Sequence, residues 1–270
     1  MTSSTDHDVP EDGITYRVAD GIATITLNRP EKGNALNGEM SRSLKAAWED
    51  VRDSPHIRVA ILTGAGTRHF CTGADVTGVA ESGRVNAGRG PMDQEIFISP
   101  WNNGVWKPVI CAVNGLVAGA GLHLVAESDV VVAADHVGFT DTHVNVGMVA
   151  GFEPVALARR IPLGAVLRLS LFGKSYRMTA RRAYEVGLVD ELTTSESLLA
   201  TADEMAHQLL LNSPEAMART KEALWTSLEM GYRQAAEHAW ALVRMHWQHP
   251  DFVEGPKAFI ERRSPVWSSE

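Results

Sequence analysis

The chain has 270 residues and a formal net charge of -8 at pH 7, with 44% hydrophobic and 21% charged residues. These values are ordinary for a globular protein of one large domain or two, and the acidic balance argues against a nucleic-acid partner, whose binder would carry a basic surface. No apolar run approaches the roughly 18 residues of a membrane helix and the polar start is unlike a signal peptide, so we expect a cytoplasmic protein with no membrane partner.

The first part of the chain predicts a hairpin and a helix. Residues 1–12 are polar and acidic without hydrophobic periodicity, so we predict a disordered tail. Strands are predicted at Ile14 to Val18 and at Ile22 to Leu27, around Asp20-Gly21, a dipeptide that accepts the positive φ angles of a tight turn. An amphipathic helix is then predicted from five apolar residues at helical spacing, which are Met40, Leu44, Ala47, Trp48 and Val51.

Two loops in the middle of the chain predict a site for a negative oxygen. One follows a strand from Ile57 to Thr63 and runs from Gly64 to Asp75, and the other is the glycine-rich turn between a strand at Val109 to Val113 and a short helix that begins near Ala120. Small residues before a helix start leave backbone N–H groups unpaired beside an open space. Two such N–H groups from separate loops would form an oxyanion hole. A phosphate cradle is the weaker interpretation, because its glycine patterns are absent.

The rest of the chain predicts a mixed core and a helical end. Residues Val76 to Pro91 have few apolar anchors and predict a lid or pocket wall. The two cysteines, Cys71 and Cys111, lie in apolar surroundings, which predicts buried free thiols.

Further strands and helices alternate, and from about Ser195 nearly all of the chain is predicted to be helical. The sequence therefore predicts an α/β (α+β) core at 13–194 and a helical region at 195–270. The individual predictions are a strand from Val130, helices at Phe152 to Ile161, Gly164 to Leu171 and Ala180 to Val186, a strand at Leu188 to Leu192, and helices at Glu196 to Leu211, Pro214 to Met230, Gln234 to Gln248 and Phe252 to Arg263.

Four separated segments carry motifs that occur together in one protein family. They are Leu27-Asn-Arg-Pro-Glu-Lys-Gly-Asn-Ala-Leu-Asn37, then Ile61-Leu-Thr-Gly-Ala-Gly66 with Phe70-Cys-Thr-Gly-Ala-Asp75, then Lys107-Pro-Val-Ile-Cys-Ala-Val-Asn-Gly115 with Gly119-Ala-Gly121, and finally Glu254 to Trp267. In this order they resemble the enoyl-CoA hydratase/isomerase family, also called the crotonase superfamily, over roughly residues 14 to 267. The resemblance implies a spiral of β-β-α units whose C-terminal helices form trimers or dimers of trimers. It also implies an acyl-CoA substrate of fatty acid or lipid metabolism, with no metal and no cofactor beyond the coenzyme A of the substrate.

The resemblance also implies positions for the site residues. The family's two backbone donors to the thioester carbonyl fall on Ala74 and Ala120. The residues implied to contact coenzyme A or to line the water site are Asn34, Ala35, Leu36, Asp75 and Gly151, with Phe259 and Arg262 reaching the nucleotide of a neighbouring subunit.

The chain departs from the family at the acid and base. Family hydratases carry a glutamate two residues beyond the last glycine of the second loop and another glutamate twenty residues later, and here those positions hold His123 and His143. Imidazole gives and takes protons near neutral pH, so the two histidines can serve as base and acid for hydration of a 2-enoyl-CoA. The alternatives are an isomerase, a hydrolase or ring-opening enzyme, and a catalytically idle acyl-CoA-binding homologue.

Three carboxylates lie near these histidines in the sequence. Asp141 is placed to orient His143, although a loop carboxylate of this kind is expected to be exposed to water. Glu127, one helical turn beyond His123, either pairs with it or belongs to a solvated helix face. Glu153, just after Gly151, either presents a carboxylate to the site from a helix N-terminus or only favours the start of its helix, which is the more common case because acids are frequent in first turns.

Overall fold

The computed structural model describes residues 9–11, 13–75 and 97–268, so the predicted lid lies outside the described residues. The described part is a mixed α/β architecture, as the sequence predicts. Its strands are β1 Val9–Glu11, β2 Ile14–Ala19, β3 Ile22–Leu27, β4 Val59–Gly64, β5 His69–Cys71, β6 Val109–Val113, β7 Leu116–Ala118, β8 Val130–Ala134, β9 Gly138–Thr140, β10 Met178–Thr179 and β11 Glu191–Thr193. Its helices, numbered here within the described residues, are α1 Gly38–Asp53, α2 Ala120–Ala126, α3 Phe152–Ala158, α4 Leu163–Phe172, α5 Ala180–Glu185, α6 Leu198–Leu210, α7 Pro214–Ser227, α8 Tyr232–His246 and α9 Asp251–Glu261.

The larger sheet forms the core. Its strand order is β1-β2-β3-β4-β6-β8-β11, with the β1–β2 and β2–β3 pairs antiparallel and the remaining pairs parallel. Every residue of β4 and β6 is buried. Parallel strands that are covered on both faces read as continuous apolar runs, which is why the sequence showed these two strands so clearly.

The smaller sheet places the candidate site. Its order is β10-β9-β7-β5, and β5, β7 and β9 run parallel. The carboxyl ends of parallel strands lie at the same edge of a sheet, where ligands of α/β proteins commonly bind. The segments that leave this edge carry Ala74 after β5, Ala120 after β7 and His143 after β9.

The hairpin and first helix confirm their sequence predictions. Asp20 and Gly21 adopt φ angles of 50° and 83°, as a tight turn between β2 and β3 requires. The Asn37 side chain caps α1 by accepting a hydrogen bond from the Met40 N–H, at 2.8 Å. The five apolar residues predicted from helical spacing are all buried.

The first strand corrects the prediction of a disordered tail over residues 1–12. Residues 9–11 form β1, which pairs antiparallel with β2 so that Pro10 lies opposite Thr15. The prediction was wrong at these three residues, because an edge strand is held by backbone hydrogen bonds, which side-chain periodicity does not report. Residues 1–8 and 12 lie outside the described part.

Both cysteines are free and buried, as predicted. Burial raises the pKa of each thiol to about 12, so the reactive thiolate form is suppressed. Among the described residues, no helix is long and apolar enough to cross a membrane.

Asp129 ties helix α7 to the core. Its Oδ1 accepts from the indole N–H of Trp225 at 2.8 Å, and its Oδ2 accepts from the backbone N–H of Val109 at 2.7 Å. The Lys221 ammonium lies 2.7 Å from Oδ2 and also donates to the Lys107 carbonyl at 2.9 Å. Burial lowers the pKa of Lys221, and the Asp129 carboxylate opposes that shift. One carboxylate thus satisfies three donors, two of them on α7.

Replacing Asp129 by alanine should lower the free energy of unfolding by about 3–5 kcal/mol, because it leaves a buried ammonium without its counter-ion. Urea denaturation followed by circular dichroism measures the change. The matched control is Asp203→Ala, which removes an exposed carboxylate 3.3 Å from His207 and should change stability by less than about 1 kcal/mol. Equal effects of the two substitutions would contradict the anchoring role.

Helices α8 and α9 present a large apolar surface in the single chain. Its exposed side chains include Trp240, Val243, Trp247, Phe252, Phe259 and Ile260. Contiguous exposed apolar surface commonly marks a contact with another protein. Assembly into trimers through these helices stays a prediction.

Candidate active site

The loop after β5 and the start of α2 approach each other closely at two glycines. A Cβ atom added at Gly73, whose φ is 95°, would lie 3.3 Å from Cα of Gly119 and 3.4 Å from the backbone nitrogen of Ala120. A Cβ at Gly121 would lie 2.6 Å from the carbonyl oxygen of Cys71, closer than real Cβ contacts. Glycine is therefore required for the backbones of the two loops to meet.

The amide of Ala74 faces away from the loop that contains Leu36. The Leu36 N–H donates to the Gly73 carbonyl and the Asp75 N–H donates to the Leu36 carbonyl, each at 2.8 Å. Successive N–H groups of an extended chain point in opposite directions, so the N–H of Ala74, between those two bonds, points to the opposite side. Among the described residues no backbone acceptor receives it.

Ala120 supplies the second amide. It is the first residue of α2, where a backbone N–H has no partner within the helix, and the described residues offer it no backbone acceptor. The structure thus brings Ala74 and Ala120 to neighbouring positions at the edge of the small sheet. Two N–H groups in such a place can hold a developing negative oxygen.

Asn34 joins the predicted coenzyme A loop to the Ala74 loop. It is fully buried and adopts a φ of 53°. Its side-chain amide donates to the carbonyls of Ala65 at 3.1 Å and His69 at 2.9 Å, and its Oδ1 accepts from the Arg29 N–H at 3.0 Å. The polar atoms of Asn34 are therefore used to hold the two loops together.

Arg29 ties the remaining predicted coenzyme A residues to the same region. Its guanidinium donates to the Ala35 carbonyl at 3.0 Å and lies 3.4 Å from Oδ2 of Asp75. Ala35 and Leu36 are buried. The structure brings these predicted residues together beside Ala74, and their contact with coenzyme A stays a prediction.

His143 is held by the carboxylate two residues before it. Oδ1 of Asp141 accepts from the backbone N–H of His143 at 3.1 Å and lies 2.7 Å from its Nδ1. Asp141 is fully buried, so the expectation of a water-exposed carboxylate was wrong. The physical reason is local: a short acidic side chain can fold back onto the donors that follow it, which places it beneath the imidazole.

The imidazole of His143 borders the amide pair. Its Cε1 would lie 3.5 Å from a Cβ added at Gly119, the residue before Ala120. The hydrogen bond with Asp141 raises the pKa of His143, burial opposes this, and the negative charges of Glu153 and Asp141 raise it further. The charged imidazolium beside the amide pair is therefore favoured more than in a free histidine.

His123 lies within α2 and has different contacts. Its side chain is 5% exposed and its Nε2 lies 2.9 Å from Oε1 of Glu127. The other oxygen of Glu127 accepts a hydrogen bond from the Ser99 hydroxyl. Glu127 therefore pairs with His123, and the alternative of a solvated helix face is excluded. Ser99 was missed from the sequence, because no motif surrounds a single serine and its partner is 28 residues away.

The first turn of α3 packs beside His123. The Phe152 ring stacks on the His123 imidazole with 6.5 Å between ring centres and 12° between planes. Glu153 is only 7% exposed. Before them, Gly151 borders open space, since no described atom lies within 4 Å of a Cβ placed there. Its predicted place beside the reacting water stays a prediction.

Two predicted residues lie elsewhere in the single chain. Phe259 is on α9 and is 85% exposed. Arg262 ends that helix with a φ of 55°. Their predicted contact with the nucleotide bound to another subunit stays a prediction.

Known proteins share both this sequence and this fold. The family model described as enoyl-CoA hydratase/isomerase matches residues 17–270. A carnitinyl-CoA dehydratase from Salmonella arizonae is 36% identical over 255 residues, covering 91% of this chain and 94% of that protein. An (E)-benzylidenesuccinyl-CoA hydratase from Thauera aromatica is 32% identical, covering 94% of this chain and 98% of that protein.

Solved structures agree with the sequence relatives. An enoyl-CoA hydratase/isomerase from Mycobacterium paratuberculosis has a TM-score of 0.87 at 36% identity, covering 96% of this chain and 99% of that chain. An enoyl-CoA hydratase from Mycobacterium tuberculosis H37Rv has a TM-score of 0.87 at 31% identity, covering 96% of this chain and all of that chain. Sequence, fold and the paired glycine loops lead to one conclusion: the chain belongs to the enoyl-CoA hydratase/isomerase family and has the crotonase fold.

Proposed function

We propose that the protein is an acyl-CoA hydratase or dehydratase, which adds water to a 2-enoyl-CoA or removes it from a 3-hydroxyacyl-CoA. The observation that carries this proposal is the imidazole of His143, bonded to buried Asp141 and placed beside the amides of Ala74 and Ala120. Relatives named as a carnitinyl-CoA dehydratase and a benzylidenesuccinyl-CoA hydratase support the same reaction class.

The proposed reaction uses each of these groups once. The oxygen of water attacks the β carbon of the enoyl group, and the electron pair of the double bond moves to the thioester oxygen. The N–H groups of Ala74 and Ala120 stabilise that enolate oxygen. His143 then donates its proton to the α carbon as the carbonyl re-forms, and the water has given up one proton to a base. Dehydration follows the same steps in reverse.

The two imidazoles have unequal parts in this proposal. His143 transfers the proton, because Asp141 binds Nδ1 and leaves Nε2 for the substrate. His123 has one nitrogen bound to Glu127 and its ring under Phe152, so it supports the site wall and holds the first turn of α3. Neither role calls for a metal or a cofactor beyond the substrate's own coenzyme A. The substrate is held by the loop of Asn34 to Leu36 with Asp75.

Assembly and location complete the proposal. The apolar surface of α8 and α9 supports a homotrimer or a dimer of trimers, in which Phe259 and Arg262 meet the nucleotide of a neighbouring subunit. We place the protein in the cytoplasm, in fatty acid or related acyl-CoA metabolism.

The reaction class is tested with a panel of 2-enoyl-, 3-hydroxyacyl-, 3-enoyl- and β-ketoacyl-CoA thioesters, followed by mass spectrometry of the products. We expect a gain or loss of one water from a 2-enoyl or 3-hydroxyacyl substrate. Migration of the double bond without a mass change would assign an isomerase. Release of free coenzyme A or of a ring-opened acid would assign a hydrolase, and binding without turnover would support an idle acyl-CoA-binding homologue.

Replacing Asp141 by asparagine should shift the pH dependence of hydration to lower pH. The hydrogen bond from Asp141 is the largest cause of the raised pKa of His143, so its loss lowers that pKa. Because His143 acts as an acid, activity falls as pH rises through the pKa, and the variant should lose activity at a lower pH than the wild type. The dependence of kcat on pH measures this shift. A reduced rate with an unchanged profile would leave Asp141 a purely structural role.

A further inference from the structure

Glu153 is a buried carboxylate that the proposed mechanism has not yet used. It is 7% exposed, and no hydrogen bond or ion pair joins its side chain to another described residue. An ionised carboxylate is costly to bury without a partner. The burial of Glu153 must therefore be explained by the groups that surround it.

The favourable interaction with a helix N-terminus does not supply that explanation. A first-turn acid is stabilised by about 0.3–1 kcal/mol at an exposed helix start, whereas burying a charge costs several kcal/mol. Glu215, the first-turn acid of α7, shows the ordinary arrangement, because it is partly exposed and bonded to Arg219 at 2.7 Å. Glu153 has no such partner among the described residues, and it is buried.

The surroundings of Glu153 place it at the site. The preceding Phe152 stacks on His123 in α2, so the first turn of α3 is packed against the helix that begins with the Ala120 donor. On the other side of Phe152, no described atom lies within 4 Å of a Cβ placed at Gly151. The charge of Glu153 reaches the His143 imidazole and raises its pKa. The first turn of α3, which carries Glu153, and the segment that carries His143 therefore both lie beside α2, the helix that begins with the Ala120 donor.

We propose that Glu153 is the general base that takes the proton from the attacking water. This inference rests on the proposed hydratase function and completes its proton balance. As the water oxygen bonds to the β carbon, one O–H bond breaks and its proton passes to the Glu153 carboxylate. The proton that His143 delivers to the α carbon comes from the imidazolium, and a net transfer from Glu153 to His143 through solvent restores both groups. In this proposal one carboxylate and one imidazole share the two proton transfers for which family hydratases use two glutamates.

The test separates water addition from proton transfer at the α carbon. Hydration of the 2-enoyl-CoA identified by the panel reports both steps. Exchange of the α protons of butyryl-CoA with D2O, followed by mass spectrometry, requires the oxyanion hole and His143 but adds no water. We expect Glu153→Gln to lower hydration by about 100-fold or more while butyryl-CoA exchange persists within a few fold. His143→Gln should remove both reactions.

Two further variants distinguish catalysis from structure. Glu153→Asp keeps the carboxylate and should recover part of the hydration rate. Glu215→Gln removes the first-turn acid of α7, which is bonded to Arg219, and should leave hydration unchanged. Exchange begins when neutral His143 removes an α proton, so it is lost as pH falls through the pKa of His143. Because Glu153 raises that pKa, Glu153→Gln should also shift this low-pH loss of butyryl-CoA exchange to lower pH. If Glu153→Gln still exchanges the α protons of butyryl-CoA, the variant is folded, because exchange requires an intact oxyanion hole and His143.

Three outcomes would overturn the assignment. Hydration by Glu153→Gln within a few fold of wild type shows that another group activates the water. Equal loss of hydration and exchange in a folded Glu153→Gln assigns Glu153 to organising the site and not to the water. If the wild-type protein exchanges α protons and hydrates no enoyl-CoA of the panel, the proposed function fails first, and that result is distinct from a failure of Glu153 alone.

Discussion

Replacing Ala120 by proline should lower kcat for hydration by about 100- to 1,000-fold, the usual effect of removing one oxyanion donor. Proline has no N–H, and position 120 is the first residue of α2, where proline is well tolerated because that N–H has no helical partner. The substitution therefore removes the proposed donor and keeps the helix. Steady-state kinetics with the 2-enoyl-CoA substrate measures the loss.

The control for this prediction is Ala120→Gly, which keeps the N–H and removes only a methyl group. It should retain activity within a few fold. Circular dichroism and thermal unfolding should show that Ala120→Pro remains folded. A folded proline variant with wild-type kcat would exclude Ala120 from the oxyanion hole.

Replacing His143 by glutamine should lower kcat by about 100- to 10,000-fold, the range that a general acid or base contributes. The reason is the position of this imidazole, which borders Gly119 and is bonded through Nδ1 to Asp141. The hydrogen bond with Asp141 and the charges of Glu153 and Asp141 raise its pKa, so the protonated acid persists to higher pH than in a free histidine. Activity should fall as pH rises through that pKa. The glutamine variant should lose this basic limb of the pH profile.

His207 provides the matched control for His143. It is an exposed histidine that also has a nearby carboxylate, with its Nδ1 3.3 Å from Asp203, and it lies on α6. His207→Gln should change neither kcat nor the pH profile. If His143→Gln keeps the basic limb, a different group is the acid that limits the rate at high pH.

Prediction from the sequence was most accurate where a single side chain, or a regular spacing of apolar residues, determines the local structure. The helices predicted from Ala180 and from Pro214 begin at those residues, because the hydroxyls of Thr179 and Ser213 accept a hydrogen bond from the N–H three residues on, both at 3.2 Å. Strand β6 has the predicted bounds, because an uninterrupted apolar run ends at Asn114 and Gly115. These features depend on residues that are close together in the chain, and such short-range patterns can be read directly from the sequence.

The predictions failed where contacts between residues far apart in the sequence determine the local structure. A strand was predicted at Leu188 to Leu192, but β11 is Glu191–Thr193. Leu188 and Val189 are buried against the core while their N–H groups donate to Ala183, so their apolar character reflects loop packing. Strands β5, β7 and β9 have three residues each, too few for a period to appear.

In the candidate site, too, the features that depend on local sequence were predicted and those that depend on distant contacts were not. The oxyanion loops were found from glycines and family motifs, since a close backbone approach admits few residue types. The carboxylates were harder to place, because burial of Asp141 and of Glu153 depends on elements that pack over them. The sequence could place Asp141 near His143 but could not show which of them faces water.

The bond between Asp141 and His143 has a consequence for protein engineering. Both of its hydrogen bonds lie within three consecutive residues and converge on one carboxylate oxygen. Closing so short a loop costs little chain entropy, so the two hydrogen bonds themselves need no contact from a distant part of the chain. We therefore expect that an Asp-x-His segment, grafted after the corresponding strand of a related scaffold, would install an imidazole whose basicity is raised by the carboxylate two residues before it.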